Sequence, residues 1–159
     1  MLQTAQTVLL WFGAIGCAVI GGVYFTFSTF AMAAFARLDR AAGIAAMQAI
    51  NDVILRSLFM PLFFGTTIAA AILVILAIVN WSAPSSLLTL VAGLLFVVGM
   101  FIVTAVFNVP MNNALMAVNA ANSEAVWTSY LADWTWWNHV RTLASIGAGA
   151  LFMLALVRG

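Results

Sequence analysis

Four apolar runs, residues 8–36, 53–79, 87–109 and 141–157, occupy most of this chain and limit what it can become. A helix crossing the hydrocarbon core of a bilayer needs roughly 20 such residues. In lipid every backbone polar group has to be satisfied from within, which leaves helices and closed barrels. A barrel strand alternates with period two, and these runs are apolar on every side. The expected fold is therefore all-α: a single integral membrane domain over residues 1–159, arranged as a transmembrane four-helix bundle. The first run exceeds a bilayer core and has to tilt or project. The last is the shortest and spans only if the tryptophans before it sit in the interface.

With 66% hydrophobic and 6% charged residues and a formal net charge of +1, the chain has no basic patch for nucleic acid. The expected surroundings are the lipid bilayer. The single cysteine, Cys17, can form no internal disulfide and no thiol cluster, and reads as a small residue at a helix contact. It belongs to a stripe of small residues, Gly13, Cys17 and Gly21 with Ala14, Ala18 and Gly22 beside them, that lets helix backbones approach closely in lipid. Ser145 and Gly149, with Ala144 and Ala148, repeat the device in the last run. The stripe suits either the bundle itself or a homo-oligomer. The N-terminus lacks the basic segment of a secretory signal. Arg37, Arg40, Arg56 and Arg141 fall at one end of the bundle and Arg158 at the other, which places both termini on the non-cytoplasmic side.

Ala41 to Asn51 is helix-prone and is expected to run straight into the second span, which Pro61 then kinks. Between the third and fourth spans, Trp127, Tyr130, Leu131 and Trp134 form the pattern of a helical segment lying in the interface.

The polar residues are unevenly placed. Gln48, Asn51, Asp52 and Arg56 gather at the start of the second span. Asn108 and Asn112 stand at the end of the third, and Trp134, Asn138, His139 and Arg141 at the start of the fourth. All fall at one end. The segment Trp134-Thr135-Trp136-Trp137-Asn138-His139-Val140-Arg141 holds half of the six tryptophans and the one histidine. An ionisable side chain near bilayer depth is costly and usually faces a bundle interior or a wet cavity.

Asn138 and Arg141 share a helix face with Trp134 one turn back. Arg141 can hold an anionic oxygen, Asn138 can hydrogen-bond beside it, and a tryptophan gives a flat wall, a combination suited to an aromatic ligand with an ionisable phenol or enol. The plainer reading has Arg141 reaching the headgroups or pairing with Asp133 or Glu124. His139 suits a general base or a hydrogen-bonded interface residue. Asn108 and Asn112 flank Pro110, which frees the carbonyl of residue 106. Asn112 can supply the missing donor, or the two amides can polarise a ligand carbonyl. Asp52 and Arg56 read as an ion pair. A single imidazole supports neither zinc nor bis-histidine haem, and no metal is expected.

Taken together, these clusters resemble the anthrone-oxygenase-like family of small four-helix membrane proteins, much of it a domain of unknown function. The resemblance runs through Gly22-Val23-Tyr24-Phe25 with Phe27-Ser28, Met47-Gln48-Ala49-Ile50-Asn51, Asn108-Val109-Pro110-Met111-Asn112 with Leu115, and Trp134 to Arg141. It implies a membrane-embedded oxygenase, placed in a bacterial inner membrane, that converts an activated aromatic of the anthrone type without a metal or flavin. An anthrone has an acidic C–H, and its resonance-stabilised anion can pass an electron to O₂ directly. The roles that follow are His139 as base and Arg141 with Asn138 or Asn112 on the oxyanion. Trp134 or Trp137 would be the stacking wall, with Gln48, Asn51 and Asn108 completing the substrate site. The alternatives are a non-catalytic protein holding a quinone, lipid or haem in the same cavity, and a structural subunit whose tryptophans form an interfacial belt.

Overall fold

The computed structural model describes residues 2–158, and the described residues are helices and their links with no β-strand. Helix α1 covers Leu2–Thr26 and continues through a π-helical turn at Phe27–Ala31 into Met32–Phe35. A short helix α2, Arg40–Ile54, follows, and then α3, Phe59–Val79. Helix α4 covers Ser86–Met116 and α5 covers Ser123–Arg158, each interrupted by π-helical turns. Helices α1, α3, α4 and α5 are each long and apolar enough to cross a membrane, and the protein is an integral membrane protein built on them.

The four long helices form a closed ring in which α1 packs on α3 and α5, and α4 packs on the same two. Small residues set the closest approaches. A side-chain carbon on Gly149 of α5 would lie 3.4 Å from the Ala14 carbonyl oxygen and from Cys17 Cβ of α1. One on Gly93 of α4 would meet the Ala70 carbonyl oxygen of α3 at 2.9 Å, and one on Gly16 would run into the Thr66 side chain. The stripe on α1 is thus used inside the bundle, against α5. Around it lies the main core, with Ile20, Leu73, Phe96, Met100 and Phe152 fully buried.

Two local expectations are corrected. Ala41 to Asn51 does not run into the second span: α2 stops at Ile54 and the chain turns before α3 starts at Phe59. Nor does Pro61 kink a helix. It occupies the first turn of α3, where a missing N–H leaves no gap in the ladder. Extending α2 through this point would have driven the proline ring against the carbonyl of residue 57. Ser57 stabilises the break, donating through Oγ to the Ile54 carbonyl at 2.8 Å and accepting from the Phe59 N–H at 3.2 Å. The consequence is that α2 does not continue into α3 and packs instead against the end of α1, the end of α4 and the start of α5.

The segment from Ser123 is helical, as expected, and it is continuous with α5. Its aromatic face meets protein: Trp127, Tyr130 and Trp134 are buried with Met32, Ile44, Met47 and Leu115 in a second core. This core fastens α2 to the ends of α4 and α5. An ion pair between Arg40 and Glu124 at 2.9 Å spans the same junction, though its exposure limits it to about 1 kcal/mol or less.

Candidate functional site

Where the two cores meet, a cavity of about 270 Å³ opens, close to the lower end of the roughly 300–1,000 Å³ usual for small-molecule sites. Its walls come from all five helices. Val23, Tyr24 and Phe27 line it from α1, Met47 and Asn51 from α2, Phe59 and Phe63 from α3, Phe101, Thr104 and Asn112 from α4, and Trp134 and Arg141 from α5. The lining is mainly aromatic and aliphatic, with a few polar groups on one side. π-helical turns surround it: Phe27, Phe101, Thr104 and Trp134 all sit in them. Such turns re-aim side chains by adding a residue to one turn of helix, and they recur at functional sites.

Arg141 is the centre of the polar side. It is only 4% exposed. The guanidinium lies over the Tyr24 ring, 4.2 Å from its centroid, and 5.1 Å from that of Trp134. Nη2 donates to Asn138 Oδ1 at 2.7 Å, and Nη1 makes a long contact, 3.4 Å, with Thr104 Oγ1. Nε has no partner. Every group around this cation is neutral. The acids expected to pair with it are engaged elsewhere, Glu124 with Arg40 and Asp133 with the Ser129 hydroxyl, so the headgroup-or-acid reading of Arg141 is corrected. Asp52 and Arg56 do pair, at 2.9 Å, on the outside of the protein.

Asn138 holds Arg141 in place. Its Nδ2 donates to the Tyr24 carbonyl at 2.8 Å and to Ser28 Oγ at 2.7 Å, just where α1 passes into its π turn. The side chain is fully buried and does not line the cavity. Asn112 does line it, and its Oδ1 accepts from both Tyr130 Oη and Trp134 Nε1 at 2.8 Å. Asn112 is therefore engaged by two ring donors rather than by the carbonyl that Pro110 frees. The π turn at Thr104–Asn108 lies directly ahead of that proline. Trp127, Tyr130 and Trp134 stack in sequence with centroids 6.0 and 5.5 Å apart, and Trp134 forms the end of that stack facing the cavity.

The other expected site residues are spread more widely. Asn51 lines the cavity, and its Nδ2 has no hydrogen-bond partner. Gln48 donates to the Leu115 carbonyl at 2.8 Å, tying α2 to the end of α4. Asn108 is fully buried and donates to the Trp134 carbonyl at 3.2 Å. Trp137 stacks on Phe107 at 3.6 Å, away from the cavity. His139 is half-buried and is not among the lining residues, so the position expected for a base faces elsewhere. Sequence reasoning gave no site role to Tyr24 or Thr104. The signal for Thr104 was present, since it lies one helical turn before Asn108 on the same strip of α4. Among the described residues no three His, Cys, Asp or Glu side chains converge as a metal site.

The fold and the cavity define a class: an integral membrane helical protein with an apolar, aromatic-walled chamber and, among the described residues, one buried cation lining it. The family model described as Anthrone oxygenase matches residues 56–151, more than half of the chain, and the protein belongs to that family. The match includes Asn108, Asn112, Trp134, Asn138 and Arg141, whereas Tyr24 and α2 precede it. No curated protein and no solved structure matches the chain.

Proposed function

We propose that the protein is a cofactor-independent oxygenase acting on an activated, anthrone-like aromatic held in this cavity. One observation carries the reading: Arg141, buried and without a carboxylate partner, stands at the polar side of an otherwise apolar chamber. Burying an uncompensated charge costs several kcal/mol, and an anionic ligand would offset it. The enolate of an anthrone has the required shape, a flat apolar ring system with negative charge on one oxygen. Arg141 holds that oxygen, Trp134 and Phe27 face the rings, and Asn138 keeps the guanidinium aimed. The substrate gives its C–H proton to water on ionising, and the carbanion form of the bound enolate gives up an electron to O₂. The pair recombines to a peroxide anion, which takes a proton back from water and loses H₂O. The balance is R₂CH₂ + O₂ → R₂C=O + H₂O.

The test is oxygen uptake by protein in nanodiscs supplied with anthrone, compared with Arg141→Gln. Loss of an oxyanion donor typically lowers kcat by about 10²–10³. Wild-type uptake no faster than that of empty nanodiscs would remove the oxygenase reading. A second reading is favoured by the lining itself, which offers no carboxylate, imidazole or amine as a base. It makes the protein a carrier of an already ionised lipophile, bound without turnover in the same assay. For orientation, Arg141 is buried and leaves the count, so Arg37, Arg40 and Arg56 stand against Arg158. The cavity end then faces the cytoplasm and both termini lie outside. An alkaline phosphatase fused to the C-terminus should be active, and an inactive, stably produced fusion would reverse the assignment.

A further inference from the structure

The cavity wall is not closed all round. Four of its lining residues also lie on the outer surface of the protein: Leu55 at 64% exposure, Phe64 at 48%, Val109 at 41%, and Ala105. A residue that both lines a chamber and faces outward shows that the wall there is one side chain thick. Phe64 belongs to α3, and Ala105 and Val109 belong to α4, so the gap lies between these two helices. They pack closely where Gly93 admits Ala70 and Val74. Towards the cavity, where α4 enters its π turns, side chains bridge them instead, the Phe101 ring standing 5.6 Å from that of Phe63 and 6.3 Å from that of Phe64. The gap lies beyond this cluster. Phe64 lies five residues into the apolar run of α3, roughly 7.5 Å along the helix. On α4 the neighbours Ile102 and Val106 are exposed too. This side of the protein is the surface that apolar helices present to lipid tails.

We infer that the gap between Phe64 and Ala105 is a lateral portal through which the ligand arrives from the bilayer. The ligand class follows: an amphiphile with one ionisable oxygen, which moves inward to Arg141, and an apolar body able to pass sideways between two helices. Ala105 and Phe64 are then specificity-determining positions, since their side chains set the width of the passage. The inference deepens the reading above, and it rests on that reading only for the identity of the occupant.

The test uses thiol labelling, which requires no turnover. In a Cys17→Ala background, Thr104→Cys places a thiol in the cavity, and Asn51→Cys places another from a different helix. Each protein is reconstituted in vesicles and exposed to N-(1-pyrenyl)maleimide dissolved in the bilayer. Adding Ala105→Trp should slow labelling of both thiols by at least about tenfold, the effect of a barrier raised by ~1.4 kcal/mol. Val106→Trp adds the same bulk to the same lipid-facing side without touching the cavity, and should leave the rate unchanged. Equal rates for the two tryptophan variants would overturn the portal. So would labelling by a charged, membrane-impermeant thiol reagent at a rate matching the pyrene reagent. Wild-type protein that takes up no oxygen with anthrone, while Ala105→Trp still slows labelling, would instead count against the oxygenase reading and leave the portal standing.

Discussion

Replacing Arg141 by methionine separates a residue kept for a ligand from one kept for the fold. The guanidinium gives the fold a charge-assisted hydrogen bond to Asn138 at 2.7 Å, worth roughly 1.5–3 kcal/mol. Its two ring contacts, at 4.2 and 5.1 Å, add about 0.5–2 kcal/mol each. Against these stands the desolvation of a cation with no anion beside it, several kcal/mol. The terms nearly cancel, so Arg141→Met should change stability by no more than about 2 kcal/mol, or roughly 4–8 °C in the unfolding midpoint. Binding should behave differently. A ligand oxyanion that loses a charge-assisted bond of roughly 1.5–3 kcal/mol is held about 10–150-fold more weakly. Both quantities can be read on protein in nanodiscs, the first from intrinsic fluorescence on heating and the second from quenching by a 1,8-dihydroxyanthraquinone. Suppose that Arg141→Met instead lost more than about 4 kcal/mol, the cost of breaking a compensated buried pair, while its quenching curve matched wild type. Arg141 would then be a structural residue, and the argument from its missing counter-ion would be wrong.

Two further outcomes follow from the same geometry. His139→Ala should keep oxygen uptake near the wild-type rate, because the imidazole lies off the cavity; loss of a true general base costs about 10²–10⁴-fold. Gly16→Ala should lower the unfolding midpoint by forcing its new methyl against Thr66, a strain of about 1–3 kcal/mol. Adding Thr66→Ala should recover most of that loss, and a double mutant no better than the single would show that the two helices do not meet there.

The apolar runs announced the bundle because in lipid the backbone has few alternatives. The gathering of polar residues at one end was legible too, since only cost-bearing residues interrupt those runs. What stayed hidden was aim. Asn138, His139 and Arg141 lie within four positions, and the helix sends one to brace, one outside the cavity and one inside it. Gln48 and Asn51 are likewise three apart, yet one ties down a backbone and the other lines the chamber. Tyr24 and Trp134, which form the bed for the guanidinium, gave no sign of that pairing because 110 positions separate them. Pro61 marked the right place and suggested the wrong event, a bend where the chain stops and restarts.

The π turns of α4 give that helix two rotational phases. Up to Phe96 its inward stripe is set by the contact of Gly93 with α3, and beyond Asn108 by the cavity. The turns between them act as a splice that lets each stripe be oriented independently. Deleting one residue from the splice, such as Val98, would turn the distal half by about 100° relative to the proximal half. The contact at Gly93 would be kept, while Gly99 would turn away from Ala144, and Asn108 and Asn112 away from Trp134. For this helix the residue count between two contacts matters as much as which residues make them.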